Sequence, residues 1–115
     1  MSDQRLVALD LANHVRSTVK RAKDRIRDLD APEGHELAAR LLRDPSLGAA
    51  RVQHLLRAPR SSGPAYTQRM CVKACVAPAQ RVRDLSERQL VVLERELTGR
   101  ANRLRKGRKE KGYGK

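Results

Sequence analysis

The chain has 115 residues, the size of one domain, and it carries 26 Lys and Arg against 13 Asp and Glu, a formal net charge of +13. Such an excess of positive charge attracts polyanions, so nucleic acid is the first partner we expect. No segment approaches the roughly 18–20 apolar residues that a membrane span requires. The apolar part of the N-terminus is interrupted by Asp10 and Asn13, so we expect no secretory signal, no membrane partner and a cytoplasmic protein with reduced cysteines.

The first predicted element is one long basic helix over residues 1–29. Its apolar residues recur at spacings of four and three and form a single stripe of Leu11, Val15, Val19, Ala22, Ile26 and Leu29. Between residues 16 and 28, six bases accompany only two acids, whereas a face of i,i+4 salt bridges would balance the signs. We therefore assign a phosphate-facing role to Arg16, Lys20, Lys23 and Arg27, with an ordinary solvated face as the alternative.

Residues 30–99 predict a small domain of four shorter helices, so the fold class is all-α. Helix-favouring Ala, Leu, Arg and Glu abound, and no segment alternates convincingly as a strand. The third of the five helices uses Val52, Leu55 and Leu56, and the fourth begins near Pro64. The fifth begins at Ser86, which is spaced from Gln89 as in a capping box, and we expect it to end at Gly99.

The last segment, residues 100–115, is predicted to be a disordered basic tail. From Gly99 to Lys115 there are eight Lys and Arg and one Glu, a net charge of +7, and only one leucine. A segment with so little apolar surface is not expected to order itself. Its DNA-binding candidates are Arg103, Arg105, Lys106, Arg108 and Lys109.

Nothing in the sequence indicates catalysis, a metal or a cofactor, so we expect a protein that is not an enzyme. The histidines His14, His35 and His54 fall on three different predicted helices, and no recognised catalytic motif is present. Cys71 and Cys75 stand four residues apart without a second Cys or His pair at zinc spacing, which favours small buried hydrophobic residues over a metal site.

Two connectors carry residues suited to binding phosphate. The first, "PRSSGP" (residues 59–64), and the second, "APAQRVRDLS" (residues 77–86), each lead into a helix N-terminus with free N–H groups and a positive dipole end. If the connectors lie side by side, they form an anion cradle; the alternative is a pair of ordinary capping turns. The candidate residues are Arg60, Ser61, Ser62 and Gly63 in the first connector, Gln80, Arg81 and Arg83 in the second, and Arg88 just after it.

From about Val19 onward the chain resembles the actinobacterial integration host factor, the nucleoid protein of mycobacteria and Streptomyces. The resemblance is carried by the segments "KDRIR", "LLRD", "RVQHLLRA" and "VAPAQRVRDLSERQ", by Gly63 and Gln68, and by the leucine pattern of the last helix. It implies a long N-terminal helix followed by a helix-two-turn-helix domain that binds duplex DNA mainly through the backbone and bends or compacts it. Arg81 and Arg83 match two of three connector arginines in that family, Gln80 replaces the first, and Pro64 and Tyr66 stand where the family carries lysines.

These observations lead us to expect an architectural DNA-binding protein in the nucleoid. It would grip duplex DNA on the minor-groove side with little sequence preference, as a monomer or weak dimer, and the resemblance admits a recombinase or integrase as a further partner. Binding to structured RNA is one alternative. A regulatory interaction protein, whose first helix pairs with itself or a partner, is another. A DNA glycosylase is disfavoured, because the chain lacks the separate domain that supplies the paired acid.

Overall fold

The computed structural model describes residues 2–113, with side chains described for residues 7–107. In this part of the chain five α-helices follow one another without a strand, which confirms the all-α prediction. Short 3-10 turns lie at Pro45–Leu47 and Val82–Asp84. The helices are α1 (Ser2–Asp28), α2 (Ala31–Leu41), α3 (Val52–Arg57), α4 (Pro64–Ala74) and α5 (Glu87–Tyr113).

The second helix is the centre of the packing. One side of α2 lies against α1 and the other against α5, while α4 packs on α5 and on the short α3. The contact with α1 is so close that a Cβ atom on Gly34 would lie 2.9 Å from the carbonyl oxygen of Ile26. The largest fully buried aliphatic side chains come from α1, α3, α4, α5 and the first 3-10 turn: Ile26, Leu47, Val52, Leu55, Leu56, Met70, Leu93 and Leu97.

Only the second half of α1 belongs to this core. Ala22 and Ile26 are buried, and Val19 packs against the core from its edge. The apolar stripe continues towards the N-terminus, but Leu11 is 61% exposed because no other element of the described chain covers it. The stripe predicted from the sequence is therefore real, and its first part lies on the surface.

At the start of α5, Ser86 and Gln89 form both hydrogen bonds of the predicted capping box. The backbone N–H of Gln89 donates to the Ser86 hydroxyl at 3.1 Å, and the Gln89 side chain accepts from the Ser86 N–H at 2.9 Å. Leu85 and Leu90 both pack against the core, as a hydrophobic staple requires.

The predicted end of α5 at Gly99 is wrong, because the helix continues to Tyr113. The disordered tail and the boundary after residue 99 are accordingly not confirmed, and Gly114 and Lys115 lie outside the described residues. Ala101 is fully buried, and Leu104, half-buried, lies one turn further along the same helix. Arg105 pairs with Glu36 and lies 3.7 Å from a carboxylate oxygen of Glu33, both on α2. The apolar face and this ion pair outweigh the roughly 1 kcal/mol that glycine costs inside a helix.

The two cysteines have different surroundings. Cys71 is buried, and burial raises the pKa of its thiol. Cys75 ends α4 in the left-handed conformation, with φ 57°, and is exposed. The prediction of two buried cysteines is therefore right for Cys71 and wrong for Cys75, because the helix turns at Cys75 instead of continuing.

Candidate nucleic-acid interface

The second connector is fastened to the start of α3 and the residues before it by backbone hydrogen bonds, two of which flank one pair of arginines. The Val52 N–H donates to the Gln80 carbonyl at 2.8 Å, and the Val82 N–H donates to the Ala50 carbonyl at 2.9 Å. These bonds enclose an antiparallel bridge between Arg51 and Arg81. Both valines are buried, so the two arginines, which alternate with them, are turned to solvent.

This bridge places two positive side chains directly opposite each other. Its hydrogen bonds run between the flanking residues, which is the non-hydrogen-bonded type of pair, with Cα atoms about 4.5 Å apart and side chains close together. Like charges in such positions destabilise the pairing by roughly 0.2–1 kcal/mol. A guanidinium N–H of Arg81 donates to the Ala49 carbonyl at 2.5 Å. An anion bound between the two arginines would remove the repulsion.

The first helix supplies the other wall of a groove that opens here. Arg16, Lys20 and Lys23 lie at spacings of four and three on α1, so they share one helical face beside the apolar stripe. Together with the bridge they enclose a hollow of about 900 Å³ with a mostly apolar floor. Among the described residues that line it, none is an Asp or Glu. We call this the basic groove, and its polar lining residues are Arg16, Lys20, Lys23, Arg51, His54 and Arg81.

The pKa of His54, which lines the groove, lies below its usual value. Partial burial is the main cause, and the positive charges of Lys23, Arg51 and Arg57 add to it. The imidazole therefore stays neutral where an isolated histidine begins to protonate.

The first connector is held by hydrogen bonds to α3 and α5. The Ser62 hydroxyl donates to the Leu56 carbonyl at 2.5 Å, and the Ser61 carbonyl accepts from Arg100 at 2.9 Å. Ser61 itself adopts the left-handed conformation, with φ 68°. Gly63 has an ordinary φ of −88°, and a Cβ atom there would meet nothing within 4 Å. The turn thus does not depend on a glycine at position 63.

Arg60 and Arg81 lie at the two ends of α3 and not next to each other. Arg81 is bridged to the residue before α3, whereas Arg60 comes three residues after its end and donates to the Arg27 carbonyl at 2.7 Å. A helix of six residues is about 9 Å long. The two connectors are therefore spaced along α1, with exposed Arg57 between them, and do not form the adjacent cradle considered from the sequence.

The other candidates of the second connector do not line the basic groove. Arg83 lines a separate hollow with Leu42, Gly48 and Leu90, on the far side of the buried Val82. The Gln80 amide is half-buried and donates to the Asp84 carbonyl at 3.0 Å, so it holds the connector in shape.

The candidates on α5 are spread over several surfaces. Arg88 is exposed in the first turn and lines none of these hollows. Arg103 lines a hollow of about 830 Å³ between α4 and α5, and Lys106 is exposed. Arg105 pairs with the two glutamates of α2, and its role in binding DNA stays a prediction. Arg108 and Lys109 lie outside the residues whose side chains are described.

Sequence reasoning missed three residues on and beside α3, of which Arg51 and His54 line the basic groove and Arg57 lies next to it. Arg51, His54 and Arg57 recur every third residue, opposite the buried face of Val52, Leu55 and Leu56. This periodicity was visible in "RVQHLLR". The periodicity alone does not show that these residues line a groove, because α1 and the second connector supply the rest of the lining.

Comparisons with protein-family models, curated proteins and solved structures find no match to the chain. Across the described residues, no helix has a stretch both long enough and apolar enough to cross a bilayer. Within the same part of the chain, no cluster of three or more His, Cys, Asp or Glu side chains is placed to hold a metal ion.

Proposed function

We propose that this protein is an architectural duplex DNA-binding protein that grips the sugar–phosphate backbone in the basic groove. The observation that carries the proposal is the bridge of Arg51 and Arg81 in a groove whose described lining residues include no Asp or Glu. Folding places two exposed arginines opposite each other on neighbouring chain segments, and a phosphate bound between their side chains would relieve the like-charge repulsion. The net charge of +13 adds long-range attraction for a polyanion.

Backbone recognition fits the groove better than base reading does. α3, whose exposed side bears His54 and Arg57, is only six residues long, and the groove cations are spread over α1, α3 and the connector. Such a distributed set suits phosphates along a duplex and predicts weak sequence preference. Kinship with the actinobacterial integration host factor, a place in the nucleoid, DNA bending and a recombinase partner belong to the same proposal.

The test is equilibrium binding of the full chain to a mixed-sequence duplex of about 30 base pairs at several salt concentrations. If six to eight phosphates are neutralised, log K falls against log salt with a slope of about −5 to −7. Matched titrations with duplex RNA and with an AT-rich duplex complete the experiment. Absence of binding at low salt, a clear preference for RNA, or a preference above about a thousandfold for one short sequence overturns the proposal.

DNA bending by the protein is tested in a separate experiment. Ring closure by ligase of a duplex of about 150 base pairs, near the DNA persistence length, becomes faster if the protein bends DNA. Binding that leaves the closure rate unchanged limits the proposal to backbone binding without bending.

A second candidate role is supported by the start of α1. Val7, Leu9 and Leu11 are more than half exposed, and residues 1–15 carry one Arg against two Asp. This stretch is therefore where two strongly positive copies can meet with little repulsion. Sedimentation of the chain without DNA tests it: a dimer that Leu11→Gln dissociates supports self-association, and a strict monomer at high concentration excludes it.

A further inference from the structure

His54 occupies the middle of the exposed face of α3. Arg51 precedes it by three residues and Arg57 follows it by three, so all three project from the same side of the chain. Its ring is exposed and lines the basic groove together with Lys23 and Arg81. A phosphate held between α1 and the bridge would lie within the same hollow.

Among residues 7–107, the charged groups that line the groove with His54 or act on its pKa are all positive. α1 contributes Arg16, Lys20 and Lys23 from across the groove, the second connector contributes Arg81, and the neighbours along the chain are Arg51 and Arg57. In the free protein this surrounding charge, together with partial burial, disfavours the imidazolium. A bound phosphodiester brings negative charge to the same place and reverses that electrostatic effect.

We propose that His54 is a phosphate-contacting residue that takes up a proton when duplex DNA fills the basic groove, so that affinity rises as the pH falls from about 8 to about 6. The inference rests on the proposed function. It adds a regulated contact to the fixed charges of the arginines and lysines.

The direction in which DNA affinity changes with pH follows from the linkage between proton binding at His54 and DNA binding. The free-state pKa lies below its usual value and the DNA-bound pKa lies above the free one, because an opposite charge favours the protonated form. Above both pKa values neither state holds the proton, so the affinity does not change with pH. Between the two values binding takes up a proton and tightens as the pH falls. Below both pKa values His54 is protonated in both states, and the affinity again no longer changes with pH.

The other histidines provide an internal comparison. His14 lies on α1 in a different hollow, with Thr18, Arg21 and Asp44. His35 is buried, with Nδ1 2.6 Å from the Ala31 carbonyl oxygen. Neither lines the basic groove, so His14→Gln is a matched control for His54→Gln: both remove one exposed imidazole.

The experiment measures Kd for the 30-base-pair duplex at constant salt between pH 6 and pH 8, for the full chain and its variants. The wild type and His14→Gln should tighten by about threefold to tenfold on acidification, since one unit of pKa shift corresponds to a factor of ten. The affinity of His54→Gln should show no tightening between pH 8 and pH 6, whatever its value at pH 8. His54→Lys should bind at pH 8 as the wild type does at pH 6.

Calorimetry in buffers of different ionisation enthalpy gives an independent measure, with proton uptake of up to about one per complex in the wild type and none in His54→Gln. DNA binding that is independent of pH, or a pH dependence that persists in His54→Gln, overturns the inference and leaves the proposed function intact. Failure of the wild type to bind the duplex at any pH overturns the proposed function instead.

Discussion

Arg81 and Arg83 flank the buried Val82 and line different hollows, although they are two residues apart in one connector. Arg81 faces α1 across the basic groove, whereas Arg83 lies against Leu42 and Leu90 beside the start of α5. The reason is local: a 3-10 turn begins at Val82, so the chain leaves the extended conformation of Arg81 at once.

Because Arg81 and Arg83 line different hollows, two double variants that each remove two positive charges should weaken DNA binding to different extents. Arg51→Ala with Arg81→Ala should weaken binding to mixed duplex DNA strongly and make the salt slope less steep by about two units, because each lost phosphate contact removes about one. Arg83→Ala with Arg88→Ala, which also removes two arginines, should have a clearly smaller effect. Salt titrations of both double variants measure the difference, and circular dichroism checks that both keep their helices. Equal losses would contradict the groove as the main contact surface.

Gly99→Ala should stabilise the protein. Gly99 lies inside α5, and a Cβ atom there would approach only the guanidinium end of Arg103, at 3.4 Å, which is an ordinary contact. Alanine in a helix interior is favoured over glycine by roughly 1 kcal/mol, so the free energy of unfolding in urea should rise by up to that amount. If α5 ended at Gly99 with a left-handed residue, the same change would instead lower the stability, so the sign of the effect decides between the two structures.

Gly34→Ala should destabilise the protein despite the same gain in helix propensity. Its Cβ atom would lie 2.9 Å from the Ile26 carbonyl oxygen, so α1 and α2 would have to move apart. Overpacking of this kind costs roughly 1–3 kcal/mol. Gly99→Ala is the matched control, since both changes add one methyl group to a helix. Urea unfolding of Gly34→Ala with no loss of stability would show that α1 does not pack as closely on α2 as described here.

Stability should fall as the solution becomes mildly acidic, because His35 is buried. Burial lowers the pKa of His35 in the folded state, and the Arg100 charge acts in the same direction. The unfolded chain protonates this histidine near its ordinary pKa of about 6.5, so below that pH the unfolded state binds more protons than the folded state. The free energy of unfolding is therefore highest above about pH 6.5 and decreases as the pH falls below it, until the folded form also protonates. Urea titrations at pH 7.5 and pH 5.5 measure this difference. The difference in unfolding free energy between the two pH values should be smaller in His35→Gln, whatever the overall stability of that variant. If His35→Gln shows the same pH dependence as the wild type, His35 is not the cause of that dependence.

The sequence by itself determined the elements that depend on local signals. Helix periodicity placed α1, the Ser86–Gln89 spacing placed the start of α5, and Pro64 placed the start of α4. Composition and charge were sufficient to propose a polyanion as the partner. The three helix placements need only neighbours within a turn or two of chain, which is the range over which caps and helical stripes act.

Only the tertiary structure determined which positively charged side chains line the same groove. Lys23 and Arg81 are distant in sequence from His54 and meet it because α1 and the second connector both pack beside α3. Long-range packing also carried α5 past Gly99, where the local signal for a helix end was overruled by the burial of Ala101 and the pairing of Arg105 with α2. Burial and ion pairing between distant segments contribute energies comparable with a single helix-stop signal, so they can reverse what local propensity alone predicts.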